Sequence, residues 1–508
     1  VTRNDAGVLV AAETASEALR HGLDERARRA APSAIAAVAE RGSVRAVLAH
    51  GHPRGDAAPT TRDTVFRIAS MSKSFLAAAV LSLRDRGLLD LHVPIRAYLP
   101  EVRLRHRDAD VEVTGDLLLS NRSGLGEDNA WVDRHLDAPR AEIAALFAGG
   151  VPLTAAPGTV YQYSNLGQSL LGRVVEAVTG RAVEDVIREA LLHPLGLHRT
   201  SHVPDDFAAE ELAGGFRTFD DGATFRAEPL VGSGALGCIG SMFSTVDDIA
   251  TWMWFLGSAF TDHPVAPDVL APASRRELQQ ARTPIPVHSA AFDGRDLAGA
   301  GYGYGLVVED DRRFGRVVQH SGGLPGFSAH MRWHAATGIG VIAFGNSDEF
   351  GARRVAGAAL QDLLETTHAP SAVVHPWTET IAAARAIDAA LRSGQPAADY
   401  PFLADHVLDD VPADVRDARL ARQLDEIGGL RAQQAPFADR VVAAATEAEL
   451  RWRIAGHQRD LLVEVRLIGL PEPRVQGLSV AVVASGETLI DGERRGAAER
   501  HRIVLPAG

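Results

Sequence analysis

Phe75, Leu76, Ala79, Val80 and Leu83 recur at helical spacing, so the stretch from Ser70 to Leu83 predicts an amphipathic helix, with Val65, Phe66 and Ile68 as an extended lead-in. A second helix is expected to begin near Leu166 and run through Leu170, Leu171 and Val175, entered from the Pro157-Gly158 turn. Another begins at Ser244 or Thr245, where Ser244…Asp247 and Thr245…Asp248 both read as capping boxes. Arg316 to Gln319 is strand-like and runs into His320-Ser-Gly322-Gly-Leu-Pro-Gly326. Beyond the prolines of the segment 366–376, which break helical continuation, Ile381 to Leu391 predicts an Ala-rich helix and 416–430 a further one. Leu450–Ile454, Asp460–Leu467 and Leu478–Val483 alternate like half-buried strands.

Composition narrows the classes. The chain has 508 residues, 46% hydrophobic and 23% charged, enough for a folded core and, at roughly 100–200 residues per domain, for two or more domains. A formal charge of −13 offers no attraction to phosphate backbones or anionic lipid, so no nucleic-acid partner and no membrane partner is expected. Cys238 alone cannot build a disulfide framework or a thiolate metal site, and the histidines show no metal-ligand spacing, so no cofactor is implied. Arg3 is followed at once by Asp5, and the apolar run from Ala6 to Ala12 ends at Glu13, which does not fit a secretory signal. Ile249–Phe260 falls short of the ~18 apolar residues of a spanning helix. These features predict a soluble, cytoplasmic protein; they leave its oligomeric state open. Gly232-Ser-Gly234-Ala-Leu-Gly237 matches a dinucleotide-binding string, but no helix starts there to face a phosphate, and it reads as a loop near the active site.

One detail changes the picture more than any percentage: of 52 basic residues, only Lys73 is a lysine. Arginine stays protonated, whereas a desolvated amine can release its proton, so chemistry that moves a proton can demand lysine. Lys73 lies three residues after Ser70 at the predicted helix start, on the same face, where unpaired N–H groups can meet a developing oxyanion. Tyr163 and Asn165 form a Tyr-x-Asn pair on a loop entering a helix, and Tyr163 could serve as general base if a neighbouring ammonium favours its ionised form. His320-Ser321-Gly322 ends a strand whose edge could bind an acyl group, with the Gly323 N–H contributing to an oxyanion hole.

Taken in this order, Ser70-x-x-Lys73, Tyr163-x-Asn165 and His320-x-Gly322 resemble the serine β-lactamase and penicillin-binding-protein superfamily, on the side of its class C-like esterases and D-aminopeptidases. Thr114–Gly124, Leu170–Gly180, His193–Leu197, Gly240–Asp248 and Gly301–Gly305 look like its connecting landmarks, so the resemblance covers roughly 30–365. It implies an α/β (α+β) fold, an antiparallel sheet flanked by helices with an inserted all-helical subdomain. Around that domain we expect an N-terminal helical extension at 1–29, a linker at 366–376 and a small α+β or β-rich C-terminal domain at 377–508. The resemblance also implies an acyl-enzyme serine hydrolase acting on small esters, amides or short D-amino-acid peptides. Its catalytic residues would be Ser70, Lys73 and Tyr163; Asn165, His320, Ser321 and Gly322 would bind or orient substrate, and the backbone N–H groups of Ser70 and Gly323 would form the oxyanion hole. Authentic class C β-lactamases carry Lys-Thr-Gly where this chain has His320-Ser-Gly, which removes a fixed charge for a substrate carboxylate and makes strong β-lactamase activity an alternative rather than the expectation. A β-lactamase, a D-Ala-D-Ala carboxypeptidase or a silent ligand-binding member are the alternatives.

Overall fold

The computed structural model describes residues 10–55, 58–286, 295–485, 498 and 500–506. These fall into two compact units that divide between Ala369 and Pro370. The opening segment that bears on a leader lies largely outside the described residues.

The first unit is built on an antiparallel eight-stranded sheet. Its strands are β1 (Ser33–Glu40), β2 (Ser43–Gly51), β3 (Thr283–Pro284), β4 (Leu297–Tyr302), β5 (Val307–Asp311), β6 (Gly315–Leu324), β7 (Phe327–His334) and β8 (Ile339–Gly345). Their spatial order is β3-β4-β5-β6-β7-β8-β1-β2. Every residue of β1 is buried. That requires cover on both faces, and it explains why this strand is apolar at nearly every position instead of alternating. On one face Ala34, Ala36 and Val38 pack with helices α1 (Ala12–Gly22) and α6 (Ala352–Thr366) through Ala15, Leu19, Val355 and Ala359. On the other, Ile35, Ala37 and Ala39 join the larger core formed by α2 (Ser72–Asp85) and α5 (Val246–Gly257). The helices expected as an N-terminal extension are therefore part of the domain's own core, because Ala15, Ala18 and Leu19 make an apolar stripe that the sheet covers.

Between α2 and α5 the chain runs through α3 (Asn129–Val132), α4 (Asn165–Thr179) and other helices. This insert is not wholly helical: Leu104–His106, Ala109–Asp110 and Val151–Pro152 form a small three-stranded sheet, and Gly215–Arg217 pairs with Arg226–Glu228. Strands of two or three residues are too short for periodicity to register. Thr245 caps α5 by accepting the Asp248 N–H, and of the two starts that the sequence offered, this is the one taken.

In the second unit, β9 (Val441–Ala443), β10 (Glu449–Ala455), β11 (Asp460–Ile468) and β12 (Arg474–Val483) form an antiparallel sheet, accompanied by helix α7 (Thr378–Ser393). Trp452 is fully buried there, its Nε1 donating to Asp388 at 2.9 Å, while Arg440 donates to both carboxylate oxygens of Asp388 at 2.6 Å. Among the described residues no helix is long and apolar enough to cross a membrane.

Candidate active site

Ser70 sits in a short turn, Ala69–Met71, that feeds directly into α2. Ala69 holds a left-handed backbone, φ +48°, which costs a non-glycine residue roughly 1 kcal/mol or more and turns the chain sharply just before the serine. The helix behind it is pinned: Phe75 stacks on Trp252 of α5 with ring centroids 3.9 Å apart, and Trp252 Nε1 donates to Ser74 Oγ at 3.0 Å. Ser70 is partly exposed, whereas Lys73, one turn deeper, is fully buried. Lys73 Nζ donates to Ser70 Oγ at 2.9 Å and to the Ile239 carbonyl at 3.1 Å. Two glycines make room for this arrangement. A Cβ on Gly305 would stand 2.5 Å from the Lys73 carbonyl oxygen, at φ +67°, and one on Gly322 would stand 2.1 Å from the Ile68 carbonyl oxygen.

The Gly322 contact brings β6 against the serine turn. β5 pairs with β6 only from Asp311↔Gly315 to Val307↔Gln319, so from His320 to Leu324 the side of β6 that would face β5 is open. The open edge expected from the sequence is therefore local: β6 is an internal strand whose last residues outrun one neighbour. Gly323 is exposed there.

Tyr163 reaches the same place from the loop that enters α4. Its phenol lies within interaction range of the Ser70 side chain, and Lys73 Nζ lies 5.0 Å from its ring centroid. Burial decides the electrostatics of the trio. It lowers the Lys73 amine from 10.5 to about 7, opposed by the carboxylates of Asp133 and Asp128. It pushes the Tyr163 phenol well above its ordinary value despite the nearby Ser70 hydroxyl, so the ionised phenol that a neighbouring ammonium was expected to favour is disfavoured.

His320, Ser321 and Asn165 lie close by but are engaged elsewhere. His320 is buried and held to about 3, chiefly by burial, with the nearby Lys73 adding to the effect. Its Nδ1 pairs with the Ser321 carbonyl at 2.6 Å and its Nε2 with the Tyr302 hydroxyl at 3.1 Å. The carbonyl can only accept, so Nδ1 carries the proton and Nε2 accepts from Tyr302. Tyr302 in turn sits edge-on to Tyr163, with centroids 6.0 Å apart. Ser321 Oγ is 2.8 Å from His330 Nδ1 on the neighbouring strand. Successive strand residues face opposite ways, so this hydroxyl belongs to the face away from His320. Substrate contact from Ser321 is therefore left to its main chain. The Asn165 amide, expected to orient lysine or substrate, donates to Asp128 Oδ1 at 3.0 Å and Asn129 Oδ1 at 2.7 Å. It ties α3 to the start of α4, which steadies the Tyr163 loop.

Three contributors were not singled out from the sequence. Asp128 accepts from Ser164 Oγ (3.0 Å), the Asn165 N–H (2.8 Å) and the Leu166 N–H (2.9 Å), clamping the helix start beside Tyr163. The Ile239 carbonyl, which holds Lys73, lies just past the glycine string that was read as a loop near the site. Tyr302 stood inside the Gly301–Gly305 landmark with no role attached. No cluster able to hold a metal ion occurs among the described residues.

The fold and this constellation define the class, a serine hydrolase of the β-lactamase type. The Beta-lactamase family model matches residues 16–365, and the chain belongs to that family. The chain is 30% identical over 368 residues to esterase EstB of Burkholderia gladioli, spanning 65% of this chain and 89% of that one. It is 28% identical over 298 residues to the unguisins hydrolase ungD' of Aspergillus campestris; the match covers 56% of this chain and about half, 53%, of that one. An octameric penicillin-binding-protein homologue from Pyrococcus abyssi superposes with a TM-score of 0.59 at 19% identity, over 92% of this chain and 99% of that one, a likeness of fold.

Proposed function

We propose that the protein hydrolyses small esters and amides through an acyl-enzyme on Ser70, with Lys73 and Tyr163 moving the proton. The observation that carries this is a fully buried amine, lowered to about 7, donating to a partly exposed serine hydroxyl at 2.9 Å. An amine with that affinity for protons is neutral in about half of the molecules at neutral pH and can accept the Ser70 proton as Oγ attacks the carbonyl. Tyr163 stays protonated in the resting enzyme beside Ser70, placed to pass a proton to the leaving group. The proton then held by Lys73 replaces the one that Tyr163 gives up. A water molecule next attacks the acyl carbon, and Ser70 regains its proton. The backbone N–H groups of Ser70 and Gly323 are the proposed oxyanion donors, a pairing supported by the packing of Gly322 onto Ile68 and by the open side of β6. His320 is neutral, buried and bonded to Tyr302, so it offers a substrate carboxylate no cation. That favours esters and amides over β-lactams and peptide C-termini, in keeping with the likeness to an esterase.

The test is labelling by a fluorophosphonate probe in the unmodified protein and in Ser70→Ala, followed by turnover of p-nitrophenyl esters, anilides and a chromogenic cephalosporin. Labelling that depends on Ser70, with ester or anilide turnover well above cephalosporin turnover, is expected. Neither labelling nor turnover in the unmodified protein would end the proposal.

A further inference from the structure

The loop that carries Tyr163 is held on its downstream side by Asp128. On its upstream side it is held by Asn121, a residue of the Thr114–Gly124 landmark that the mechanism has not used. Asn121 follows the short helix Gly115–Leu119 and is buried, with φ +53°. Asparagine is one of the few residues besides glycine that adopts a left-handed backbone readily, because its short amide can bond locally. From that position it accepts twice from the loop. Its carbonyl takes the Gln162 N–H at 2.9 Å, and its side-chain oxygen takes the Ser164 N–H at 3.3 Å. One residue therefore grips both chain neighbours of Tyr163. The Arg122 carbonyl extends the hold to the Pro157-Gly158 turn by accepting the Gly158 N–H at 2.7 Å.

The rest of the Asn121 side chain faces the surroundings of the same phenol. A main-chain N–H can only donate, so the atom turned to Ser164 is the amide oxygen, and the NH2 group is left over. That group is buried and makes no hydrogen bond, and the side chain lies within interaction range of Tyr302. The Tyr302 hydroxyl gives its proton to His320 and keeps lone pairs with which to accept. The Tyr302 ring backs Tyr163 edge-on, and the His320 ring centroid lies 6.3 Å from that of Tyr163. Asn121 thus joins the loop that carries the phenol to the aromatic wall behind it.

We propose that Asn121 is a positioning residue that, through its two oxygens, aims the Tyr163 hydroxyl at the departing group, so that protonation of the leaving group depends on it. This rests on the hydrolase reading above and deepens its proton-transfer step. As the bond between the acyl carbon and the leaving oxygen breaks, its electron pair stays on that oxygen, which takes the Tyr163 proton. The proton that Lys73 received from Ser70 then passes to Tyr163. p-Nitrophenolate is stable in water at neutral pH and departs without help, whereas an alkoxide must be protonated as it leaves. A misaimed phenol therefore penalises alkyl esters selectively, while a general loosening of the fold slows both.

The experiment measures kcat/KM for p-nitrophenyl butyrate and, by pH-stat, for ethyl butyrate. Both give the same acyl-enzyme, so the aryl-to-alkyl ratio reports acylation alone. Tyr163→Phe should raise that ratio about tenfold or more. Asn121→Gly removes the side chain yet accommodates the left-handed backbone; it should raise the ratio about fivefold or more, and add nothing further in the Tyr163→Phe background. Asn121→Asp keeps the shape and both oxygens, and its ratio should stay within about threefold of the unmodified protein. Thermal melts and fluorophosphonate labelling accompany each variant. The assignment is refuted by an unmoved ratio in Tyr163→Phe or in folded Asn121→Gly, by an Asn121→Gly effect that persists without the phenol, or by a larger shift in Asn121→Asp. The Tyr163→Phe and Asn121→Asp outcomes decide even where Asn121→Gly fails to fold. In each of these cases labelling that depends on Ser70 leaves the hydrolase reading standing. If the unmodified protein neither labels nor turns over either ester, both fall together.

Discussion

Lys73→Arg isolates the one property that sets this residue apart from every other basic side chain of the protein. Burial brings the amine down from 10.5 to about 7. At pH 7 about half of such amines are neutral, against about three in ten thousand for an unperturbed lysine, an enrichment of about 10³ in the form able to accept a proton. A guanidinium keeps its charge across the accessible pH range, so the substitution forfeits that enrichment while retaining a donor. The expected loss in kcat/KM for a neutral ester is about 10³-fold, inside the 10²–10⁴ typical of a general base. The assay is p-nitrophenyl butyrate hydrolysis from pH 5.5 to 9, with thermal melts of both proteins to separate folding from chemistry and Lys73→Met as a second, uncharged replacement. The sign follows from the lowered value. Activity of the unmodified protein should rise as pH passes upward through about 7, where the amine sheds its proton, and then level off. Because Lys73 is hydrogen-bonded to Ser70, the midpoint belongs to the coupled assembly. A folded Lys73→Arg protein within tenfold of the unmodified one, or a flat profile between pH 6 and 8, would refute the reasoning.

Other outcomes follow from the same geometry. Gly322→Ala places a Cβ 2.1 Å from the Ile68 carbonyl oxygen, so strand and serine turn must separate; about 1–3 kcal/mol of stability and at least tenfold in fluorophosphonate labelling rate should be lost, read by melts and gel fluorescence. Asp128→Ala leaves the donors at the start of α4 without their acceptor, costing about 2–3 kcal/mol in denaturant unfolding, and the loosened Tyr163 loop should lower kcat more than it changes KM. Asp388→Ala strands the buried Arg440 guanidinium and the Trp452 indole N–H, and should cost about 3–5 kcal/mol, seen as faster hydrogen exchange in β10 and α7.

The parts of the site that were legible in the sequence are those whose chemistry is tied to short spacing. Ser70 and Lys73 are one helical turn apart, so their meeting follows from the period of a helix that the apolar pattern already announced. Tyr163 and His320 could be named but not aimed. His320 was expected at the substrate; in the fold it turns to Tyr302, because burial of a neutral imidazole demands a partner for each ring nitrogen. Asn165 was expected to orient the substrate or the lysine, and its amide donates to Asp128 and Asn129. Spacing left the first base open between neutral Lys73 and ionised Tyr163; desolvation, which no sequence pattern displays, lowers the amine and raises the phenol.

The chain's own text determined the class of reaction, through a lone amine one turn from a serine, and the two-part organisation, through a change of pattern at the prolines of 366–376. Only the tertiary structure decided which proton carrier is ready at neutral pH, since that depends on how deeply each group is buried. It also decided that Asp128, which no sequence motif marks, is spent on the helix start beside Tyr163, because folding brings the Ser164, Asn165 and Leu166 donors to it.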